Sequence, residues 1–370
     1  MLRTMATSGQ FVAEMLSGSW RSDPELLESD PDRLAEIAPL LLEGGAGALA
    51  WRRLGSARLR NSHAGRRLRQ AFLAQAIEVD SCDRMLGDVL RRLRDAGVEP
   101  IVIKGWVAAR LYPFPSLRPY SDFDVCVDPE QLKTARRVFA ETNWKFLSVE
   151  LHEGVPDISD RPWSEILRRS RLISQGNLRV QALGFEDQLR QFCIHLLRHK
   201  ALRPLWLCDI AAAIEVLPAN FDWAYFLSGD ECATEWTQAF LGLACRALGA
   251  RTSAPPIVAA AEKVPSWLID DIHWRWGNGM SRMPLIDTLK CPQHLYRVIR
   301  HDWLNRMAIA YRSSLSPHCS LPKLLAYAAF QQPMKAAVRI RRIASTRIRK
   351  WTGASEEPFS LHLSETSRFL

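Results

Sequence analysis

Two short runs of β-branched and apolar residues interrupt a chain whose apolar residues otherwise recur at helical spacing, and they constrain the fold most. The first, Ile101-Val102-Ile103, lies between the turn Glu99-Pro100 and Lys104-Gly105, the pattern of a buried strand. The second, Phe123 to Val127, ends at Asp128-Pro129. There Asp128 suits an N-cap, Pro129 a first helical residue and Gln131 the capping-box position. The helix opened there runs to about Glu141, and Lys145 to Leu151 reads as a third strand. Ahead of the first run, Met85, Leu86, Val89, Leu90 and Leu93 form one apolar stripe, with Arg91, Arg92 and Arg94 on the other face. Gly97 can end that helix in the left-handed conformation. After Pro162 the spacing reads as helical to the end, with stripes at Leu189-Phe192-Cys193-Leu196-Leu197, Leu207-Ile210-Ala211-Ile214 and Trp236 to Leu248. The expectation is an α+β fold, a small mixed β-sheet core flanked by N-terminal and C-terminal helical regions. Its divisions fall at 1–97, 98–160, 161–290 and 291–370.

Composition excludes several alternatives. Hydrophobic residues make up 47% and charged residues 24% of the 370, enough apolar surface for a core and too much for wholesale disorder. No apolar run approaches the roughly 18 residues of a membrane span, the best candidates being broken by Glu43, Asp209 and Lys323. The opening MLRTMATSGQFVAEML lacks an uninterrupted apolar stretch, so a signal peptide is not expected. Eight cysteines are scattered with no CxxC pair, which supports neither a zinc ribbon nor a disulfide scaffold, and reduced thiols in the cytoplasm are expected. The net charge of +9 is concentrated near the C-terminus, where Arg297 to Lys350 holds twelve Lys or Arg against the single acid Asp302. Between Pro322 and Lys350 basic and apolar residues interleave. Such a segment suits either an anionic partner or a solvated helix face.

The chemistry concentrates in KGWVAARLYPFPSLRPYSDFDVCV, Lys104 to Val127. Asp122 and Asp124 alternate with Phe123 and Val125, so a strand places both carboxylates on one face. Carboxylates held that close repel unless a cation lies between them, and hard oxygen ligands select Mg²⁺ or Mn²⁺. Such a pair is half of a site that clamps a triphosphate for phosphoryl or nucleotidyl transfer. An exposed acidic edge is the bland alternative.

Several motifs in series resemble the bacterial uncharacterised nucleotidyltransferase family of the DNA polymerase β-like superfold. They are the DAGVEPIVIKG approach at 95–105, LYP at 111–113 followed by Arg118, SDFDVCV at 121–127 and VELH at 149–152. FEDQL at 185–189, IHLLRHK at 194–200, LWLCDIA at 205–211 and FDW at 221–223 are similar to the family's helical half. The resemblance implies a nucleotidyltransferase core and a Mg²⁺-dependent (or Mn²⁺-dependent) enzyme. That enzyme would transfer a nucleoside monophosphate from an NTP to an unidentified acceptor. It implies Asp122, Asp124 and Glu150 as catalytic metal ligands, Gly105 where a backbone approaches the phosphates, and Lys104 and Arg118 balancing phosphate charge. The chain departs from the pattern at Trp106, where the superfold has Ser, at Asn143-Trp144, at Glu153, and in a short Asp124-to-Glu150 segment. The alternative expectation is a catalytically impaired protein of the same fold. It would bind, or act as an accessory tailoring protein, in a peptide or polysaccharide pathway.

Other candidates weigh less. His195 and His199, four apart on a helix, could bind one zinc, although packing is the commoner role of such a pair. No Walker A sequence and no Ser-His-Asp or Cys-His signature is present.

Overall fold

A computed structural model describes residues 2–141 and 148–279, together with 309–310, 314–320, 322–324 and 326–327. The chain divides into two compact units, Met1–Arg282 and Met283–Leu370. Most of the basic segment expected to meet an anionic partner lies outside the described residues, as do Asn143-Trp144 and the expected strand start at Lys145.

Unit one opens with helices α1 (Leu2–Leu16), α2 (Pro31–Glu43), α3 (Gly47–Arg53), α4 (Ala57–Arg60) and α5 (His63–Asp95). The sheet region follows as β1 (Ile101–Ile103), α6 (Gly105–Ala109), β2 (Asp122–Val127), α7 (Leu132–Glu141) and β3 (Ser148–Glu153). Helix α8 (Trp163–Arg169) then leads into β4 (Arg171–Gln175) and β5 (Leu178–Ala182). The unit ends in α9 (Phe185–Arg198), α10 (Pro204–Glu215), α11 (Trp223–Phe226), α12 (Glu231–Leu248), α13 (Pro255–Glu262) and α14 (Ser266–Gly277). Among the described residues, no helix is long and apolar enough to cross a membrane.

The local signals around β2 act as expected. Gly97 ends α5 at φ +78°, where a side chain would be strained. Asp128 caps the turn Pro129–Gln131 by accepting the Glu130 N–H, and α7 continues from it. The helical reading beyond Pro162 fails at residues 171–182, which form an antiparallel hairpin instead.

The five strands run in the order β3-β2-β1-β5-β4. Strand β1 pairs antiparallel with β2 and parallel with β5, and β2 pairs parallel with β3, so the sheet is mixed. One face is apolar at its centre. Val102, Phe123, Val125 and Val127 pack there with Leu86, Val89, Leu90 and Leu93 of α5, with Trp106 of α6 and with Ala135 of α7. This burial holds the sheet against three helices and leaves the opposite face for polar work.

Candidate active site

Strand alternation places Ile101, Ile103, Asp122, Asp124 and Cys126 on the second face, and the register extends that face across β3. Glu150 stands directly opposite Asp124, and His152 opposite Cys126. The lower half of this face is apolar, where Ile101, Ile103 and Cys126 pack under Val155, Ile158 and Ile166. The upper half carries the acids. Asp124 is 4% exposed, whereas the Glu150 carboxylate is about half exposed.

Asp124, Glu150 and His152 each offer a donor atom within 4.8 Å of the others. The His152 Nε2 lies 2.7 Å from Asp124 Oδ1 and 3.8 Å from Glu150 Oε2. Lys104 Nζ donates to the same Asp124 Oδ1 at 2.7 Å. Burial raises the Asp124 pKa, but the hydrogen bonds from His152 and Lys104 outweigh it and hold the carboxyl below its ordinary value. Asp122, at the mouth of the strand, goes the other way. Burial raises its pKa first, and the negative charges of Asp124 and Glu150 raise it further. The site thus contains one carboxylate already paired and one still under repulsion.

Lys104 owes its position to the backbone. It joins β1 to α6 at φ 57°, ψ −123°, a conformation that strains any residue with a Cβ. Desolvation lowers its pKa, yet Asp124 more than compensates, so the ammonium is retained.

The other expected ligand-binding residues have partners within the fold. Arg118 is buried and clamps Asp209 of α10, with Nη2 2.8 Å from Oδ2 and Nε 3.2 Å from Oδ1. The Tyr112 hydroxyl donates to Asp209 Oδ1 at 2.7 Å, completing that buried node. At Gly105 a Cβ would stand 2.7 Å from the Cβ of Tyr120, so close packing alone requires glycine there. Trp106 is wholly buried on the far side of the sheet and donates from Nε1 to Asp83 of α5 at 2.7 Å. Its bulk therefore fills the core and leaves the carboxylate face open.

His152 is the residue that sequence reasoning passed over. Its signal was available, because it lies two residues beyond Glu150 on the same strand face. His195 and His199 do not gather a third metal donor among the described residues. Their rings lie 4.4 Å apart, and burial, with His199 nearby, lowers His195 to about 3, so its imidazole is neutral.

The profile of the uncharacterised nucleotidyltransferase family matches residues 30–248. The chain belongs to that family. Comparison with the curated proteins and with the solved structures gives no match. The matched span runs from the N-cap of α2 to the end of α12, and so takes in the whole sheet and the acidic face of this nucleotidyltransferase family member.

Proposed function

We propose that the protein is a divalent-metal-dependent nucleotidyltransferase that moves a nucleoside monophosphate from an NTP to an acceptor hydroxyl or phosphate. The observation that carries this reading is the convergence of Asp124, Glu150 and His152 donors within 4.8 Å, beside the Lys104 ammonium. The donor set fits a divalent ion. Carboxylate oxygens suit Mg²⁺ and Mn²⁺, and the added imidazole moves the preference toward Mn²⁺. Asp124, Glu150 and His152, whose donor atoms converge, would hold it; the expected ligand Asp122, at the start of β2, lies outside that group of donors and would act on the ion through its charge. Such an ion supplies charge neutralisation to phosphoryl oxygens.

The side chains have separable roles in this reading. Asp122 and Asp124 set a negative field that an incoming triphosphate cannot approach without a cation. Lys104 carries a fixed positive charge toward the phosphates. Glu150, the most exposed of the acids, accepts the proton of the attacking hydroxyl. Gly105 keeps the β1–α6 turn free of side-chain bulk. Arg118 acts through its clamp on Asp209, holding the segment before β2 in place and adding positive charge beneath Asp122. The described cysteines are all free thiols, which supports work in the reducing cytoplasm. In this reading the acidic sheet and the helices before and after it do the chemistry, and the basic residues between Arg297 and Lys350 serve an anionic partner.

The test is the fate of labelled NTP with Mn²⁺ or Mg²⁺. Label on the α-phosphate should enter an acceptor while label on the γ-phosphate leaves as pyrophosphate. EDTA should abolish both, and Asp124→Asn should cost more than the 10–100-fold typical of losing a residue that only orients a metal ligand. Transfer of the γ-label instead would overturn the proposal.

A further inference from the structure

Helices α9 and α10 carry an aromatic cluster that the chemistry above does not use. The rings of His195 and His199 lie 4.4 Å apart, and Trp206, in the first turn of α10, lies 4.9 Å from His195 and 5.0 Å from His199. All three side chains are partly exposed, so the cluster is neither core nor free surface.

Both of its edges are tied to the acidic face. On α9, Gln191, His195 and Arg198 share the side that meets Asp157, in the turn Pro156–Ile158 after β3. Gln191 Nε2 donates to Asp157 Oδ2 at 2.9 Å, and His195 Nδ1 lies 3.9 Å from the same oxygen. Asp157 is near enough to favour the charge on Lys104, and Lys104 and Arg118 both disfavour a charge on His195. On α10, Trp206 and Asp209 are three apart and so share a side. Asp209 clamps Arg118, whose charge in turn acts on Asp122. One edge of the cluster thus leads to Asp124 through Lys104, and the other leads to Asp122 through Arg118.

The geometry points to His195, His199 and Trp206 as a stacking platform for the base of the NTP whose phosphates meet the Asp122–Asp124 face, an inference that rests on the nucleotidyl-transfer reading. Every nucleobase has a π face, so aromatic stacking takes up a base without demanding a particular one. A neutral His195 ring suits this role, since it brings no charge to be desolvated when a base covers it. Ring nitrogens at the edge of the platform can also hydrogen-bond a base edge, which gives a means of choosing among bases.

Calorimetry on the full chain with Mn²⁺ separates this inference from the reading beneath it. Two ligands are titrated, an NTP with a non-hydrolysable α,β-bridge and inorganic tripolyphosphate, which has no base. Wild type should bind the NTP more tightly than tripolyphosphate. Trp206→Ala and His199→Ala should each weaken the NTP about tenfold and leave tripolyphosphate unchanged. Trp206→Phe, which keeps a π face and guards against a folding defect, should stay near wild type. If wild type binds both ligands equally, or if the alanine variants weaken both together, the platform is wrong while the metal–triphosphate reading stands. If wild type binds neither ligand, both fall.

Discussion

Asp122 carries an electrostatic cost that its neighbour Asp124 escapes. Lys104 and His152 both hydrogen-bond Asp124, whereas Asp122 faces two like charges and partial burial. Its carboxyl is raised in the folded chain, so that stability is full at low pH and is lost as the pH rises through the raised value. Asp122→Asn removes the penalty. We expect the variant to melt above wild type at pH 7 in EDTA, with the gap closing as the pH falls toward the ordinary aspartate value of about 4. A variant melting below wild type at pH 7 would contradict this. The pairing of Asp122 and Asp124 was legible in the sequence because strand alternation needs only adjacent residues. The clamp on Arg118 was not, because Asp209 lies 91 residues away and nothing local announces it. His152 sits between these cases, since the alternation that places Glu150 on the acidic face places His152 there too.

At the scale of elements, the Asp209 node joins the segment before β2 to α10. Asp209→Ala would leave the Arg118 guanidinium buried without its partner, at a cost of about 3–5 kcal/mol. Tyr112→Phe removes one hydrogen bond from the same carboxylate, at a cost of about 1 kcal/mol. Urea denaturation of both variants should reproduce that order, and equal midpoints would show that the node carries no load. The same scale explains how the sequence misled. Leu172 to Gln175 and Leu178 to Ala182 flank Gly176-Asn177, a two-residue hairpin signal, and Gly176 indeed takes φ +55°. The signal is present, but it lies inside a stretch whose apolar spacing otherwise reads as helical. The parallel pairing of Val102 with Ala182, which puts that hairpin into the sheet, joins residues that share no sequence pattern.

Across the whole of unit one, the first and last helices close on each other. At Gly9 of α1 a Cβ would stand 1.6 Å from the carbonyl oxygen of His273 in α14, an approach only glycine permits. Phe11, Val12, Met15 and Leu16 of α1, and Leu268, Ile272 and Trp276 of α14, are buried. The family match at 30–248 excludes both helices. A fragment of residues 1–282 should therefore melt cooperatively, while a fragment of 30–248 should be destabilised and aggregate through the uncovered apolar surface. Equal thermal stability of the two would refute this closure. A cation-dependent nucleotide site at Asp124, Glu150 and His152 is put to the proof by calorimetry of a non-hydrolysable NTP in Mn²⁺ and in EDTA. The NTP should bind with Mn²⁺, fail to bind with EDTA, and lose its Mn²⁺-dependent binding in Asp124→Asn; equal affinity in Mn²⁺ and EDTA would overturn the metal site.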